Sequence, residues 1–350
     1  MKNIAKLLVG ILFSALVMAP SYAGEMTVTG GATATYATNG DDASAGKNLA
    51  ISNELDFTAS GELDNGYTWK YQVQLDGATT ANDDTRLEIG TDMGTIGLYV
   101  SEGGLSAELH GVGAMGSGFD YVSPSTFVHS YDVDGYANIQ YHTPADLLPF
   151  GIGLKLGYVP NMNNTTMVSA KESSGVPGSQ AEGRTLSMAQ VTAAPIDGLS
   201  IKGSIAETAD GTPTAGTHDD GISANLGAKY TIGQLSIGYV EGGYQAATGA
   251  TTNDVTVYYE NKFYGIQFDV NDALSISYNM DESDQNTRAE VAQAATAGTK
   301  TVIGMEQESL QLAYTIGGAT IGLADVEVTN ADYTAGKNES QTVISLGISF

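Results

Sequence analysis

The sequence predicts an all-β chain: a 16-stranded antiparallel transmembrane β-barrel, closed on itself. Three observations predict it. Runs of about ten residues alternate apolar and polar side chains along most of the chain. The connections between those runs alternate short and long. The last run, Gln341 to Phe350, places Thr342, Ile344, Leu346, Ile348 and Phe350 on one face and Val343, Ser345, Gly347 and Ser349 on the other. A strand that stops on an exposed ring suits a lipid–water boundary, where aromatic residues anchor.

The beginning of the chain fits export. Met1 to Lys6 is short and basic, Leu7 to Ala19 is a run of 13 small or apolar residues, and Ser21-Tyr22-Ala23 carries small residues at the cleavage-determining positions. This pattern predicts a signal peptide over residues 1–23 and a barrel domain over residues 24–350. The run is short for a spanning helix, and no other segment approaches about 18 consecutive apolar residues.

From Gly24 the strands follow in order. Thr27, Thr29, Thr33 and Thr35 alternate with Val28, Gly30, Ala32, Ala34 and Tyr36. Leu49, Ile51, Leu55 and Phe57 share one face of the second run, opposite Ser52, Glu54, Asp56 and Thr58. The tight turn Glu62-Leu63-Asp64-Asn65-Gly66, with Asn-Gly at its core, leads into Tyr67, Trp69, Tyr71, Val73 and Leu75. Further runs lie at 85–92, 95–101, 135–143, 151–159, 185–194, 199–208, 221–232, 234–245, 254–268, 273–281, 305–316, 320–329 and 341–350. Short connections (61–66, 93–94, 144–150, 195–198, 232–234, 269–272, 317–319) interleave with long ones (37–48, 76–84, 102–134, 160–184, 209–220, 246–253, 282–304, 330–340). An up-and-down membrane barrel sorts its connections in this way, with the short turns at the periplasmic end.

Alternation alone fits a soluble sandwich as well as a barrel. The leader, the terminal strand and the long series of polar faces favour the barrel. Two stretches break the pattern: Glu306 and Glu308 share parity with Leu310 and Leu312, and Asp325 and Glu327 with Ile321 and Leu323. Either these strand ends rise beyond the bilayer or a bulge shifts the register.

The chain has no cysteine, so disulfides, thiol nucleophiles and thiolate metal sites are excluded. A closed barrel can satisfy every strand without them. The full chain carries 14 basic and 40 acidic residues; loss of Lys2 and Lys6 leaves 12 against 40, a balance of −28. Such a chain repels nucleic acid, and it attracts cations where the charge lines a pore.

These residues resemble the trimeric general porins of Gram-negative bacteria, of the alphaproteobacterial outer-membrane type. The resemblance spans nearly all of residues 24–350. It rests on the order and spacing of Glu25-Met26-Thr27-Val28-Thr29-Gly30, Leu63-Asp64-Asn65-Gly66, Gly94-Thr95-Ile96-Gly97-Leu98 and Phe350. It implies an outer-membrane location, a homotrimer in contact with lipid and lipopolysaccharide, and a water-filled lumen that passes small polar solutes and ions. It also implies a third extracellular loop, here residues 102–134, folded inward to narrow that lumen. Leu105, Leu109, Phe119, Tyr121, Phe127, Val128 and Tyr131 suit it to pack on the inner wall. The resemblance further implies that Phe350 serves as a signal to the barrel-assembly machinery.

In such porins acidic loop residues face a basic wall. Carried over by position, the acidic candidates are Glu102, Glu108, Asp120, Asp132 and Asp134, and the basic ones, by strand parity, are Lys70, Arg86, Lys155, Lys202, Lys229 and Lys262. The chain departs from the pattern in its arginines: beyond residue 23 there are three, Arg86, Arg184 and Arg288. Lysines make a more mobile positive wall than an arginine ladder. With Glu54, Asp56, Glu88 and Glu260 also at inward parity, the lumen is expected to be negative and to prefer cations.

Nothing points to catalysis or a cofactor. His110, His129, His142 and His218 lack metal-motif spacing. Asp41-Asp42, Asp83-Asp84, Asp219-Asp220 and Asp281-Glu282-x-Asp284 are oxygen-rich and of the kind that holds Ca²⁺, but without an EF-hand pattern solvated charge is the favoured reading. No nucleophile elbow or phosphate-binding loop is present. The leading expectation is a passive diffusion pore. A sugar-selective porin, a barrel lipase and a non-conducting adhesive barrel are its rivals.

Overall fold

In the computed structural model, residues 24–40, 46–76, 84–108, 111–115, 127, 130–162, 184–209, 220–246, 255–289 and 300–350 are described. The expected signal peptide lies outside them. Sixteen strands run in chain order: β1 Glu25–Gly40, β2 Gly46–Glu62, β3 Thr68–Asp76, β4 Thr85–Thr91, β5 Gly94–Val100, β6 Ala137–His142, β7 Gly153–Val159, β8 Thr185–Ala193, β9 Leu199–Ala209, β10 Ile222–Ile232, β11 Leu235–Gln245, β12 Val255–Asn271, β13 Leu274–Ala289, β14 Lys300–Ile316, β15 Ala319–Thr329 and β16 Glu339–Ser349. Each pairs antiparallel with the next, and β16 pairs with β1, closing the barrel. The seam runs from Gly31 opposite Ser349 to Gly40 opposite Ser340. Beyond it Phe350 N–H donates to Gly30 O and Gly30 N–H to Phe350 O, both at 2.9 Å.

Tight turns close one end of the wall. At the β2–β3 turn Gly66 takes φ +82°, where L side chains are strained, and its N–H donates to Leu63 O at 2.8 Å. Asn65 Oδ1 accepts from Tyr67 N–H at 3.1 Å, an Asx turn encoded by the Asn-Gly pair.

The two faces differ in chemistry. Outward parity carries Ile237, Ile266, Ile276, Leu310, Ile321, Leu323, Ile344, Leu346 and Ile348, all exposed. Inward parity carries Ser236, Asn261, Ser277, Asn279, Ser309, Gln311 and Ser345, all buried. A closed sheet with an exposed apolar outside and a hydrogen-bonded polar inside is built for lipid around it, because exposed apolar area of this extent is unfavourable in water. Among the described residues no helix is long and apolar enough to cross a membrane.

The wall is low over β4–β7, with strands of six or seven residues, and tall over β12–β14, with 16 or 17. The expected run at 273–281 extends to Ala289 and that at 305–316 begins at Lys300, so the expected 282–304 connection shrinks to residues 290–299. The cause is visible on the outer face. Above the tyrosine pair Tyr239–Tyr264, with centroids 5.3 Å apart, the outward residues change from apolar to Glu241, Glu260, Lys262, Glu282, Asp284, Glu306, Glu308, Asp325 and Glu327. The strands continue where the apolar stripe stops. Pairing of β14 with β15 runs unbroken from Glu306–Thr329 to Ile316–Ala319, so the sequence break at 306–308 and 325–327 is no bulge.

Two apolar clusters sit on the inner side of this wall. One gathers Leu105, Val133, Val159, Leu186, Met188 and Ala206 at β7–β9. The other gathers Phe127, Val240, Phe263, Met305, Val326, Val328 and Val343 at β11–β16, together with Ala331 and Tyr333. Each includes residues of the connections as well as of the strands.

Candidate functional site

The described residues of the β5–β6 connection (101–108, 111–115, 127 and 130–136) lie against the inner face at the low stretch of wall and beyond it. Their backbone takes the side chains of the wall as partners. Gln190 Nε2 donates to Leu105 O at 2.7 Å, and Ala107 N–H donates to Ser204 Oγ at 2.9 Å. Tyr131 N–H reaches Ser223 Oγ at 3.0 Å. Farther round, Ala114 N–H donates to Ser277 Oγ at 2.7 Å and Met115 N–H to Gln311 Oε1 at 2.8 Å. A loop without regular structure would bury unsatisfied peptide groups. The inward Ser, Asn and Gln residues supply the missing partners, which explains why the inner face carries them.

The two arms of the connection are tied by carboxylates. Asp132 accepts from Leu105 N–H at 2.8 Å, Ser106 N–H at 2.7 Å and Val133 N–H at 2.6 Å. Glu108 is buried, accepts from Ser130 Oγ at 2.6 Å, and receives Asn225 Nδ2 at 3.4 Å. Burial raises the pKa of Asp132 against the pull of its backbone donors, and Glu108 adds to the rise. Asp134 is exposed at its residue surface yet faces both of these charges. Desolvation first, then Asp132 and Glu108, push its carboxyl up to about 6. Gly104 lets the Asp132 and Asp134 carboxylates close over the backbone, since a Cβ there would lie 2.9 Å from Asp134 Oδ2 and 3.2 Å from Asp132 Oδ2.

The acidic candidates thus divide. Glu108 and Asp132 brace the loop, Asp134 presents charge, and Asp120 lies outside the described residues. Glu102 forms an ion pair with Arg86 at 3.8 Å. Arg86 Nε also donates to Gln72 Oε1 at 2.7 Å, and Gln72 Nε2 donates to Asp56 Oδ1 at 2.6 Å. Lys70 stands directly opposite Glu88 across β3–β4, and Tyr99 donates to Glu88 at 2.8 Å. Lys155 stands opposite His142 across β6–β7. Lys202 lies within electrostatic reach of Glu108, Asp132 and Lys155, and Lys229 within reach of Asp269. The basic residues are interleaved with carboxylates, so no continuous positive wall forms among the described residues.

Lys262 corrects the parity assignment. It points outward, opposite Glu241 and Glu282, and Glu260 points outward opposite Asp284. On β12 the inward residues are Tyr259, Asn261 and Phe263, because the inner face here is an apolar bed. Polar residues mark the lumen side only where lipid covers the other side.

Three features escape a reading by composition. Gly238 and Gly265 are paired across β11–β12 and leave a notch that Val112 fills, while Asn279 Nδ2 donates to Val112 O. Tyr333, in the β15–β16 connection, is buried and shares a hydrogen bond with Ser283 Oγ at 2.7 Å. A row of tyrosines, Tyr131–Tyr244–Tyr259–Tyr333, runs between the two connections with centroid steps of 4.9, 5.9 and 5.1 Å. The sequence signal was limited to glycines in strands and a tyrosine in a loop.

No family model and no curated protein matches the chain. Solved structures do. A loop L8 deletion mutant of OmpT, an outer membrane protein of Vibrio cholerae, has a TM-score of 0.65 at 13% identity, covering 94% of this chain and 100% of that one. An anion-selective porin from Comamonas acidovorans has a TM-score of 0.64 at 13% identity, with 93% and 100% covered. OmpF of Salmonella typhi has a TM-score of 0.60 at 12% identity, with 93% and 98% covered. At these identities the likeness establishes the fold: this chain has the closed 16-stranded antiparallel barrel of outer-membrane porins.

Proposed function

We propose that the protein is a non-enzymatic outer-membrane porin of the alphaproteobacterial type, a homotrimer whose lumen passes small hydrophilic solutes and ions by diffusion. The observation that carries this reading is the closed wall with an apolar outside and a polar, charged inside. Diffusion needs no chemistry, only a wet lumen of limited width and defined charge. The β5–β6 connection acts as the inward third extracellular loop that limits the width.

The charge favours cations. Glu54, Asp56, Glu88, Asp134 and Asp269 outweigh Lys70, Arg86, Lys155, Lys202 and Lys229 once the pairing of Arg86 with Glu102 and the buried carboxylates of Glu108 and Asp132 are added. A reversal potential measured in planar bilayers under a KCl gradient should have the sign of K⁺ preference. A Cl⁻-selective potential overturns the charge assignment, and a folded protein without conductance overturns the pore.

Asp134 gives the selectivity a pH dependence. Its carboxyl titrates near 6, so acidification from pH 7 to pH 5 removes a negative charge from the loop and should weaken K⁺ preference. Asp134→Asn should start weaker and show little of that step. The linkage runs the same way in stability. The folded carboxyl holds its proton above its unfolded range, so this contribution to stability is fully present below the unfolded value of 3.8 and lost as pH rises through about 6.

Among the described residues, the tyrosine row is the feature that favours a sugar-selective porin. Its rings are tilted by 46–62° and pack on each other, rather than offering aligned faces to a passing solute. Saturable, solute-specific swelling of proteoliposomes would favour that reading instead.

A further inference from the structure

We infer that the β15–β16 connection is a second lumen-narrowing element, docked by Tyr333 and locked to the β5–β6 loop. The inference rests on the pore reading and adds the part of the molecule that sets its width.

The connection turns inward sharply. Asn330, Asp332 and Tyr333 all take left-handed φ of 53–55°. Non-glycine residues hold that conformation only where surrounding contacts fix it. The contacts are present. Asn330 Nδ2 donates to Gly304 O at 2.8 Å, Gly336 N–H donates to Asn330 Oδ1 at 2.9 Å, and Ala331 N–H donates to Lys337 O at 2.7 Å. Lys337 Nζ reaches Asp332 Oδ2 at 2.6 Å and Glu339 Oε1 at 2.7 Å. The result is a compact loop closed on itself, whose apolar residues Ala331 and Tyr333 face the barrel interior and are buried there.

The bed they occupy belongs to the inner face of the wall. It is made by Phe263, Met305, Val326, Val328 and Val343, and it also takes Phe127 and Met115 of the β5–β6 loop. Phe127 meets Phe263 edge-on at 6.1 Å. The tyrosine row makes a second tie, from Tyr131 of the β5–β6 loop through Tyr244 and Tyr259 of the wall to Tyr333. The two loops emerge from the same end of the barrel, because both connect an odd strand to the following even one. They share one apolar bed in place of the hydrogen-bonded wall that the serines and glutamines form elsewhere. Cross-section is therefore taken from the lumen by both loops, and the β15–β16 loop holds one end of the other.

The test uses full-length protein reconstituted in planar bilayers. Ala331 N–H and Lys337 O are already in contact, so replacing residues 331–337 with two glycines closes the chain without stretching it. This trimmed protein should conduct about 1.5-fold or more above wild type and admit larger neutral polymers, since conductance follows the limiting cross-section. Tyr333→Ala should move the same way, and Tyr333→Phe, which keeps the ring, should move less. Unchanged or reduced conductance in a folded, trimmed protein overturns the inference. Absence of current from wild type overturns the pore reading instead. Iodination mapped by mass spectrometry reads docking without any current: Tyr333 should label only after denaturation, and ready labelling in the folded barrel overturns the docked ring.

Discussion

Replacing Asp132 with alanine should release the β5–β6 loop while the sixteen-stranded wall stays intact. The carboxylate satisfies three backbone donors on both arms of the loop, those of Leu105, Ser106 and Val133. A donor buried without a partner costs about 1–3 kcal/mol, and lumen water can replace some of what is lost, so a net loss of about 2–4 kcal/mol in loop docking is expected. The strands are unaffected, because their hydrogen bonds run between neighbours around a closed sheet. Leu105 and Val133 would then leave the bed formed by Val159, Leu186 and Met188. Conductance should rise and become noisier, and protease should cut between residues 105 and 134 while the barrel remains folded by circular dichroism. Asp132→Asn keeps one acceptor oxygen but turns an amide toward the remaining donors, so it should fall between wild type and alanine. Conductance and protease resistance unchanged in Asp132→Ala would show that apolar packing alone holds the arms.

The wall was legible because lipid imposes a strict rule on it. All sixteen strands coincide with alternating runs, and within the lipid band an apolar outside alternates with a polar inside, as in Ile344 and Leu346 on either side of Ser345. The rule lapses outside the lipid band. On β13 and β14 the outward positions become Glu282, Asp284 and Glu306, and the strands outrun their apolar signal by up to eight residues, from 281 to Ala289. Inside the barrel it lapses again where apolar side chains of the loops bed on the wall. There Phe263 and Val326 face inward and Lys262 faces outward, which reverses the parity reading of β12. The acidic candidates show the same limit. Their place in one loop was legible, but the division between Asp134, which presents charge, and Asp132 and Glu108, which hold the loop, depends on which backbone and side-chain donors meet them. Those donors come from residues up to 27 positions away, and from β10 through Asn225, so no local pattern encodes them.

Gly265→Val should expel the distal arm of the β5–β6 loop without weakening the barrel. Gly238 and Gly265 face each other across β11 and β12, and their missing side chains make the notch that receives Val112. A Cβ at position 265 would lie 2.5 Å from Val112 Cγ2 and 2.8 Å from both Val112 O and Asn279 Nδ2. Real Cβ atoms do not sit so close, and overpacking of this kind costs about 1–3 kcal/mol. The wall cannot yield, since residue 265 is pinned between Gly238 and Asn279, in a register that is continuous on either side of it as far as Asp269. The arm can, because its ties there are Val112 itself and the bonds from Ala114 to Ser277 and Met115 to Gln311. For the strand the substitution is favourable, as a β-branched residue replaces a glycine that lowers sheet propensity. Thermal stability of the barrel should therefore hold or rise while conductance increases, a combination that general destabilisation cannot produce. Val112→Gly provides a partial control: it removes the Cγ2 contact while the carbonyl oxygen of residue 112 and Asn279 Nδ2 stay close to the new Cβ, so the double variant should recover only part of the loop docking and of the wild-type conductance. Wild-type conductance in a folded Gly265→Val protein would mean that the notch does not position the arm.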